Sequence, residues 1–310
     1  MKPASSVLLL TTLTGFGYGL LAWLAIFTLL GLLPASPWFM PVAIVIALAF
    51  AAAGLLASML HLGRPERAWR ALSQWRSSWL SREGVVSLVT FPPSLAFAAA
   101  WWVDGATAPL TRTLGIVAGL LALLTVFCTS MIYASLKPIR QWHNHHTAPD
   151  YLIFALFSGI VLLAVLNAAW SGTCQIAALI ALLSALTAGL AKLAYWRYID
   201  RQAPLTSLAS ATGLKPYKTV RPLDQPHFTE NYVLREMGYH VARKHAAKLR
   251  RLAMVIAFLL PAFMVMLAFI GIAPLFTAFF AVIFTAIGLL LERWLFFAEA
   301  THVSTIYYGR

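Results

Sequence analysis

Long stretches without an ionisable residue dominate the chain and predict its helices. No Asp, Glu, Lys, Arg or His occurs in five stretches, at residues 3–60, 84–103, 113–136, 151–191 and 252–291. A helix needs about 20 mostly apolar residues to cross the hydrocarbon core of a bilayer. The five stretches therefore predict two, one, one, two and two spans. We expect an all-α integral membrane protein, a bundle of eight transmembrane helices.

Proline and glycine divide the longer stretches into separate helices. Pro34, Pro37 and Pro41 predict two helices at about 7–33 and 39–60. The other expected breaks are a turn at 170–173, a turn at Gly271 and Pro274, and a kink within the third helix at Pro92 and Pro93. The sequence contains no internal repeat, so we interpret 1–310 as a single polytopic membrane domain.

Composition and charge support this interpretation and orient the protein. The chain is 61% hydrophobic and only 11% charged, against about 25% charged residues in a soluble domain. Of its 23 Lys and Arg residues, 22 fall on one predicted side and Arg112 alone on the other. The positive-inside rule then predicts long basic cytoplasmic loops and both termini in the cytoplasm. This asymmetry explains the net charge of +13, and we expect no nucleic-acid partner.

The longest predicted loop, residues 197–251, is a candidate docking surface for a soluble partner. It is strongly basic, and aromatic residues are interleaved with the charges. Alternatively, the loop serves only to orient the protein in its membrane. The candidate docking residues are Arg243, Lys244, Lys248, Arg250 and Arg251.

Ionisable side chains at the membrane edge form a candidate redox site. His61 and Arg64 follow the second helix, and they would share one face if that helix persisted to Arg64. Arg82 and Glu83 lie where the third helix begins. A quinone needs hydrogen-bond donors for its oxygens and a route for protons, which an imidazole, a guanidinium and a carboxylate provide. Alternatively, the arginines are ordinary interfacial anchors and Glu83 is a helix cap. The spacing alone does not decide between a redox site and this structural interpretation. Tyr133 and Arg140, on the next segment at this side, are added as candidates.

Metal and haem sites are not expected. His143, His145 and His146 occur close together, but without a Cys or carboxylate at zinc-site spacing we expect a solvated loop. None of the eight histidines lies inside an apolar stretch, so no axial haem ligand is expected at membrane depth. For Glu292 and Arg293, structural pairing with neighbouring helices is favoured over a proton path.

The residues at the membrane edge carry a family resemblance. The stretches 61–68 (HLGRPERA) and 78–83 (SWLSRE) resemble the membrane-anchor subunits of dimethyl sulfoxide reductases, the DmsC family. The resemblance implies an anchor that holds an iron–sulfur subunit and a molybdopterin catalytic subunit. Such an anchor exchanges electrons between the iron–sulfur subunit and membrane ubiquinone or menaquinone, and the molybdenum chemistry belongs to a partner. The quinol-site histidine and glutamate of the family match His61 and Glu83.

Two segments point to one branch of this resemblance. Residues 131–142 (MIYASLKPIRQW) and the long segment 215–251 are more similar to the anchors of cytoplasmically facing sulfite dehydrogenases (SoeC-like). Sulfite oxidation coupled to quinone reduction at a bacterial inner membrane is then expected, and an S-oxide reductase anchor that oxidises quinol is the alternative. A secondary transporter would need paired broken helices and polar residues at the midplane. A lipid-modifying enzyme would need a catalytic cluster that only the 143–146 loop remotely provides.

Overall fold

The chain folds as a bundle of long helices. A computed structural model describes residues 3–60, 62–203, 206–214, 220–221, 223–224 and 245–308. The helices are α1 (Ser5–Leu30), α2 (Phe39–Met59), α3 (Trp79–Asp104), α4 (Pro109–Ala134), α5 (Thr147–Ser171), α6 (Gln175–Asp200), the short α7 (Leu208–Ala211), α8 (Ala246–Phe269) and α9 (Pro274–Ala298). Two 3₁₀ helices, Pro65–Gln74 and Val303–Tyr308, accompany them.

Eight of these helices, all except α7, are long and apolar enough to span a membrane. The predicted bundle of eight spans is therefore confirmed, and so are the breaks at 170–173 and at Gly271. Helix α3 continues through Pro92 and Pro93 without interruption, and the bend expected there stays a prediction. The loop predicted at 197–251 is shorter than expected, because α6 extends to Asp200 and α8 begins at Ala246.

The connections are strongly unequal on the two sides of the bundle. Those after α1, α3, α5 and α8 are short turns, whereas 60–78, 135–146 and 201–245 are long. An even number of spans returns the chain to the side where it began, so both ends of the bundle lie with the long connections. We call this the loop-rich side.

Helices α1 and α5 form the centre of the bundle and cross at a glycine contact. They are the most buried of the eight spans. Gly19 of α1 lies directly against Ala155 and Gly159 of α5, so a Cβ atom on Gly19 would overlap the Ala155 carbonyl. Small residues let membrane helices approach closely enough for extensive van der Waals contact, which stabilises their association.

Helix α8 contains a π-helical turn at Val255–Leu259. Pro261 has no amide hydrogen to donate to the carbonyl of Ala257, and the wider turn accommodates this loss. Ala257 also packs against Gly288 of α9, where a Cβ atom would overlap its backbone. The distorted turn is thus held against a neighbouring helix.

Candidate functional site

The centre of the candidate site is Glu83, a buried carboxyl on α3. Its side chain is only 4% exposed. Helix α3 begins at Trp79 and its N-cap is Ser78, so Glu83 lies in the second turn and the helix-cap alternative is wrong. The hydroxyl of Thr129 on α4 donates a hydrogen bond of 2.6 Å to Glu83 Oε1. A carboxyl removed from water and held by one donor is well placed to exchange a proton.

Tyrosines from three helices lie within electrostatic range of this carboxyl. Tyr18 of α1, Tyr133 of α4 and Tyr151 of α5 all lie close enough to Glu83 to interact with it electrostatically. Tyr133 and Tyr151 stack on each other, with ring centroids 5.8 Å apart. Each phenol can both donate and accept a hydrogen bond, so hydroxyl groups from three helices accompany the carboxyl.

A small cavity lies beside Thr129, the hydrogen-bond donor to Glu83. It has a volume of about 10 Å³, and its lining includes Thr12, Thr129, Tyr151 and Arg293. Within the described part of the chain, the hydroxyls of Thr12 and Tyr151 have no hydrogen-bond partner. A cavity of this size is at the lower limit for one water molecule. It is far too small for a quinone ring.

A buried ionic cluster lies beyond the cavity. Lys192 of α6 and Glu292 of α9 form an ion pair, and their side chains are 1% and 0% exposed. Arg293 Nε lies 3.4 Å from the other oxygen of Glu292. Its guanidinium is 3.9 Å from the centroid of the Tyr151 ring, which connects the cluster to the tyrosines. Glu292 thus pairs with a neighbouring helix, as expected, whereas the ion pair of Arg293 is with Glu292 on its own helix.

Of the predicted partners of Glu83, the two that the structure describes near the start of α3, Arg64 and Arg82, are directed elsewhere. Helix α2 ends at Met59, so the premise that it persists to Arg64 is wrong, and Arg64 is exposed. Arg82 faces the loop instead, since it donates to the carbonyls of Trp75 and Arg76 and lies over the Trp79 ring. His61 lies outside the described residues, and its part in the site stays a prediction.

The 3₁₀ helix Pro65–Gln74 packs over the start of α3. A Cβ atom on Gly84 would come within 2.7 Å of Leu72, and the Ser81 hydroxyl donates to the Ala71 carbonyl. Trp69 is exposed beside this contact, as an aromatic anchor at a membrane interface is. The 3₁₀ helix thus lies next to the turn that carries Glu83.

The other two quinone-site candidates have separate locations. Tyr133 lies near Glu83, within the aromatic cluster that also contains Trp142, Phe296 and Phe297. Arg140 instead donates to the carbonyl of Ala203, at the end of α6. The structure therefore brings Tyr133 to the site and places Arg140 elsewhere.

Two of the docking candidates are exposed and one is engaged within the protein. Lys248 and Arg251 are exposed on the first turns of α8. Arg250 donates two hydrogen bonds to Glu299, of 2.8 and 3.0 Å, and two to Asp200, of 2.6 and 3.0 Å. Its guanidinium therefore joins α6, α8 and the end of α9. Arg243 and Lys244 lie outside the described residues.

Sequence reasoning missed Thr129, Tyr151 and the pairing role of Lys192. A hydroxyl within an apolar helix gives no signal of the carboxyl that it faces. Lys192 was visible as a lone cation at the end of an apolar run, but its partner was not. Over the described ranges, no group of three His, Cys, Asp or Glu side chains is arranged to hold a metal ion.

Comparison with known proteins defines the class. The family model described as DMSO reductase anchor subunit (DmsC) matches residues 1–307. The sulfite dehydrogenase subunit designated C, from Allochromatium vinosum, is 35% identical over 335 residues, covering 99% of each chain. Anaerobic dimethyl sulfoxide reductase chain YnfH of Escherichia coli is 28% identical over 117 residues, covering 36% of this chain and 39% of its own.

These matches and the eight spans define a multi-pass membrane anchor subunit of a multisubunit molybdoenzyme complex. The chain belongs to the DMSO reductase anchor subunit family. The resemblance inferred from the residues at 61–68 and 78–83 is confirmed.

Proposed function

We propose that this chain passes electrons between an iron–sulfur subunit and membrane quinone, with sulfite as the electron donor of the complex. The iron–sulfur subunit and a molybdopterin catalytic subunit dock on the loop-rich side. That side, with both termini, faces the cytoplasm across the bacterial inner membrane, in agreement with the excess of Lys and Arg there.

The observation that carries the proposal is the buried Glu83 carboxyl with Thr129 and the three tyrosines. Reduction of a quinone takes up two electrons and two protons, so the protein must deliver protons to both quinone oxygens. Electrons arrive from the partner, and Glu83 transfers a proton at its carboxyl oxygen. His61, the other site residue implied by the family resemblance, supplies the second proton from its imidazole. We place the quinone ring at the lipid edge near the start of α3, since the internal cavity beside Thr129 holds no more than a water molecule.

The stoichiometry of sulfite oxidation matches the two electrons and two protons that the reduction of one quinone takes up. Sulfite and water give sulfate, two electrons and two protons, and the two electrons reduce one quinone. The sulfite dehydrogenase subunit matches over nearly its full length, whereas the dimethyl sulfoxide reductase chain matches over about a third of this one. This difference favours sulfite as the substrate. An S-oxide reductase anchor that oxidises quinol is the second candidate, because the same residues serve proton transfer in either direction.

Purification of the tagged chain in mild detergent tests the proposal. We expect two further polypeptides, an iron–sulfur protein and a molybdopterin subunit, and we expect iron and molybdenum in the preparation. Sulfite should then reduce a water-soluble ubiquinone analogue, whereas dimethyl sulfoxide should not oxidise its quinol. The reverse substrate preference would select the second candidate, and a lone polypeptide without metal would contradict both.

Replacement of His61 by Ala is the matching test within the site. Quinone-linked turnover should be lost, while complex assembly and electron transfer to an artificial dye persist. Loss of assembly would instead show that His61 has a structural role.

A further inference from the structure

A second site lies on the loop-rich side, at the end of α6 and away from Glu83. A pocket of about 510 Å³ is lined by three arginines, Arg140, Arg197 and Arg201, together with His146 and Tyr198. It opens between the segment that precedes α5 and the last turns of α6. The proposed quinone chemistry uses none of these residues.

The described lining of the pocket carries positive charge. No carboxylate occurs among the described residues that line it. The carboxylate of Asp200, at the end of the same helix, is instead bound to Arg250. Burial, and next the nearby His145, lower the pKa of His146, so the positive charge at neutral pH belongs to the arginines. Guanidinium groups bind phosphate oxygens with paired hydrogen bonds.

The pocket is continuous with the lipid-facing surface of α6. Leu183, Leu186 and Leu190 are 55%, 51% and 68% exposed, and they recur at helical spacing along one face. The next positions on this face are Ala194, Arg197 and Arg201, all exposed. An acyl chain lying along the leucines would therefore lead directly to the arginines at the membrane edge.

We propose that this pocket binds the headgroup of an anionic phospholipid, with the phosphate between Arg197 and Arg201. The acyl chains then lie along Leu190, Leu186 and Leu183. The cationic pocket lies at the end of the apolar leucine face. A diacyl phosphate ester has the complementary arrangement, an anionic headgroup joined to apolar chains. Basic pockets between transmembrane helices are typical sites for such headgroups. Arg140, held by the Ala203 carbonyl, closes the opposite wall of the pocket.

Lipid titration followed by native mass spectrometry tests this site on the full-length complex. The variant Arg197→Gln/Arg201→Gln should bind the first phosphatidylglycerol molecule roughly 25-fold more weakly than wild type, since each arginine contributes about fivefold. The matched control Arg67→Gln/Arg70→Gln removes two exposed charges from the same side and should bind as wild type does. Phosphatidylcholine should bind poorly to all forms.

Three further measurements distinguish the proposal from the alternative explanations. Arg197→Lys/Arg201→Lys should restore part of the affinity, because lysine keeps the charge but not the paired hydrogen bonds. Partial recovery would show that the glutamine variant loses charge rather than fold. Millimolar inorganic phosphate should not displace the lipid, and displacement would mean a site for free phosphate. Removal of the soluble subunits should leave phosphatidylglycerol binding unchanged, and a gain would mean that a partner protein occupies the pocket. Equal lipid affinity in wild type and the glutamine variant would overturn the proposal.

Discussion

Thr129 donates its hydroxyl hydrogen to Glu83 across the contact between α4 and α3, over 2.6 Å. Both side chains are buried. Because the Glu83 carboxyl is removed from water, the Thr129 hydroxyl replaces part of its lost hydration. A side chain of α4, Thr129, therefore positions the ionisable group of Glu83 on the neighbouring helix α3.

Replacement of Glu83 by Gln should abolish quinone-linked turnover and leave the complex assembled. Glutamine keeps an oxygen that accepts the Thr129 hydroxyl but carries no exchangeable acid proton. General acid–base catalysis contributes about 10²- to 10⁴-fold, so we expect a loss within this range in quinone reduction. Electron transfer to an artificial dye, measured on the same membranes, should be unchanged. Glu66→Gln, on the exposed 3₁₀ helix, is the control, and wild-type quinone activity in Glu83→Gln would contradict the assignment.

Replacement of Thr129 by Val tests the donor of the same hydrogen bond. Valine keeps the shape of threonine but leaves Glu83 without its hydroxyl partner. A hydrogen bond to a charged group contributes about 1.5–3 kcal/mol, so we expect quinone-linked activity to fall roughly 10- to 100-fold. Thr129→Ser should restore it. If valine and serine behave alike, the hydroxyl has no part in the chemistry.

The Lys192–Glu292 pair should contribute to stability rather than to turnover. Breaking a buried ion pair by removing one partner costs about 3–5 kcal/mol. Lys192→Met should lower the melting temperature in detergent by several degrees, with Arg293 partly compensating Glu292. The same change in a Glu292→Gln background should cost less, because no buried carboxylate is then left without its lysine. Equal costs in the two backgrounds would show that the pair has no coupling energy.

Arg250 and Arg251 are adjacent but should give opposite phenotypes. Arg250→Gln removes four hydrogen bonds to Asp200 and Glu299. This substitution should lower the free energy of unfolding by about 2–3 kcal/mol. The value lies below the range for fully buried ion pairs because Asp200 is partly exposed. Arg251→Glu should leave the melting temperature unchanged and weaken retention of the soluble subunits on washed membranes. Full retention would mean that Arg251 serves orientation only.

Gly19 and Gly15 provide a matched pair on α1. A Cβ atom on Gly19 would overlap the Ala155 carbonyl, whereas one on Gly15 would lie 3.8 Å from Ala155 and Ser158, at ordinary van der Waals distance. Gly19→Ala should therefore force α1 and α5 apart and reduce the yield of folded protein in membranes. Gly15→Ala should be tolerated, as measured by fluorescence-detected gel filtration. Equal yields would mean that the α1–α5 crossing adjusts to a methyl group.

The spans were predictable because a charge-free run of sufficient length has few alternatives in a bilayer. Glu83 was predictable as a candidate, since a carboxyl beside an apolar run is uncommon. Its partner Thr129 was not, because the sequence does not specify which helices are neighbours. The same limit applies to Lys192 and Glu292, which are a hundred residues apart. Arg140 was misplaced because its position depends on how the segment after α4 folds back onto the end of α6.

The depth of Glu83 has a bioenergetic consequence. It is the fifth residue of α3, about 6 Å along a helix of about 39 Å. If the soluble subunits deliver electrons at this end and the quinone exchanges its protons here, no charge crosses the bilayer during turnover. Such a complex would generate no membrane potential of its own. The energy of its reaction would be conserved only when another respiratory enzyme reoxidises the quinol.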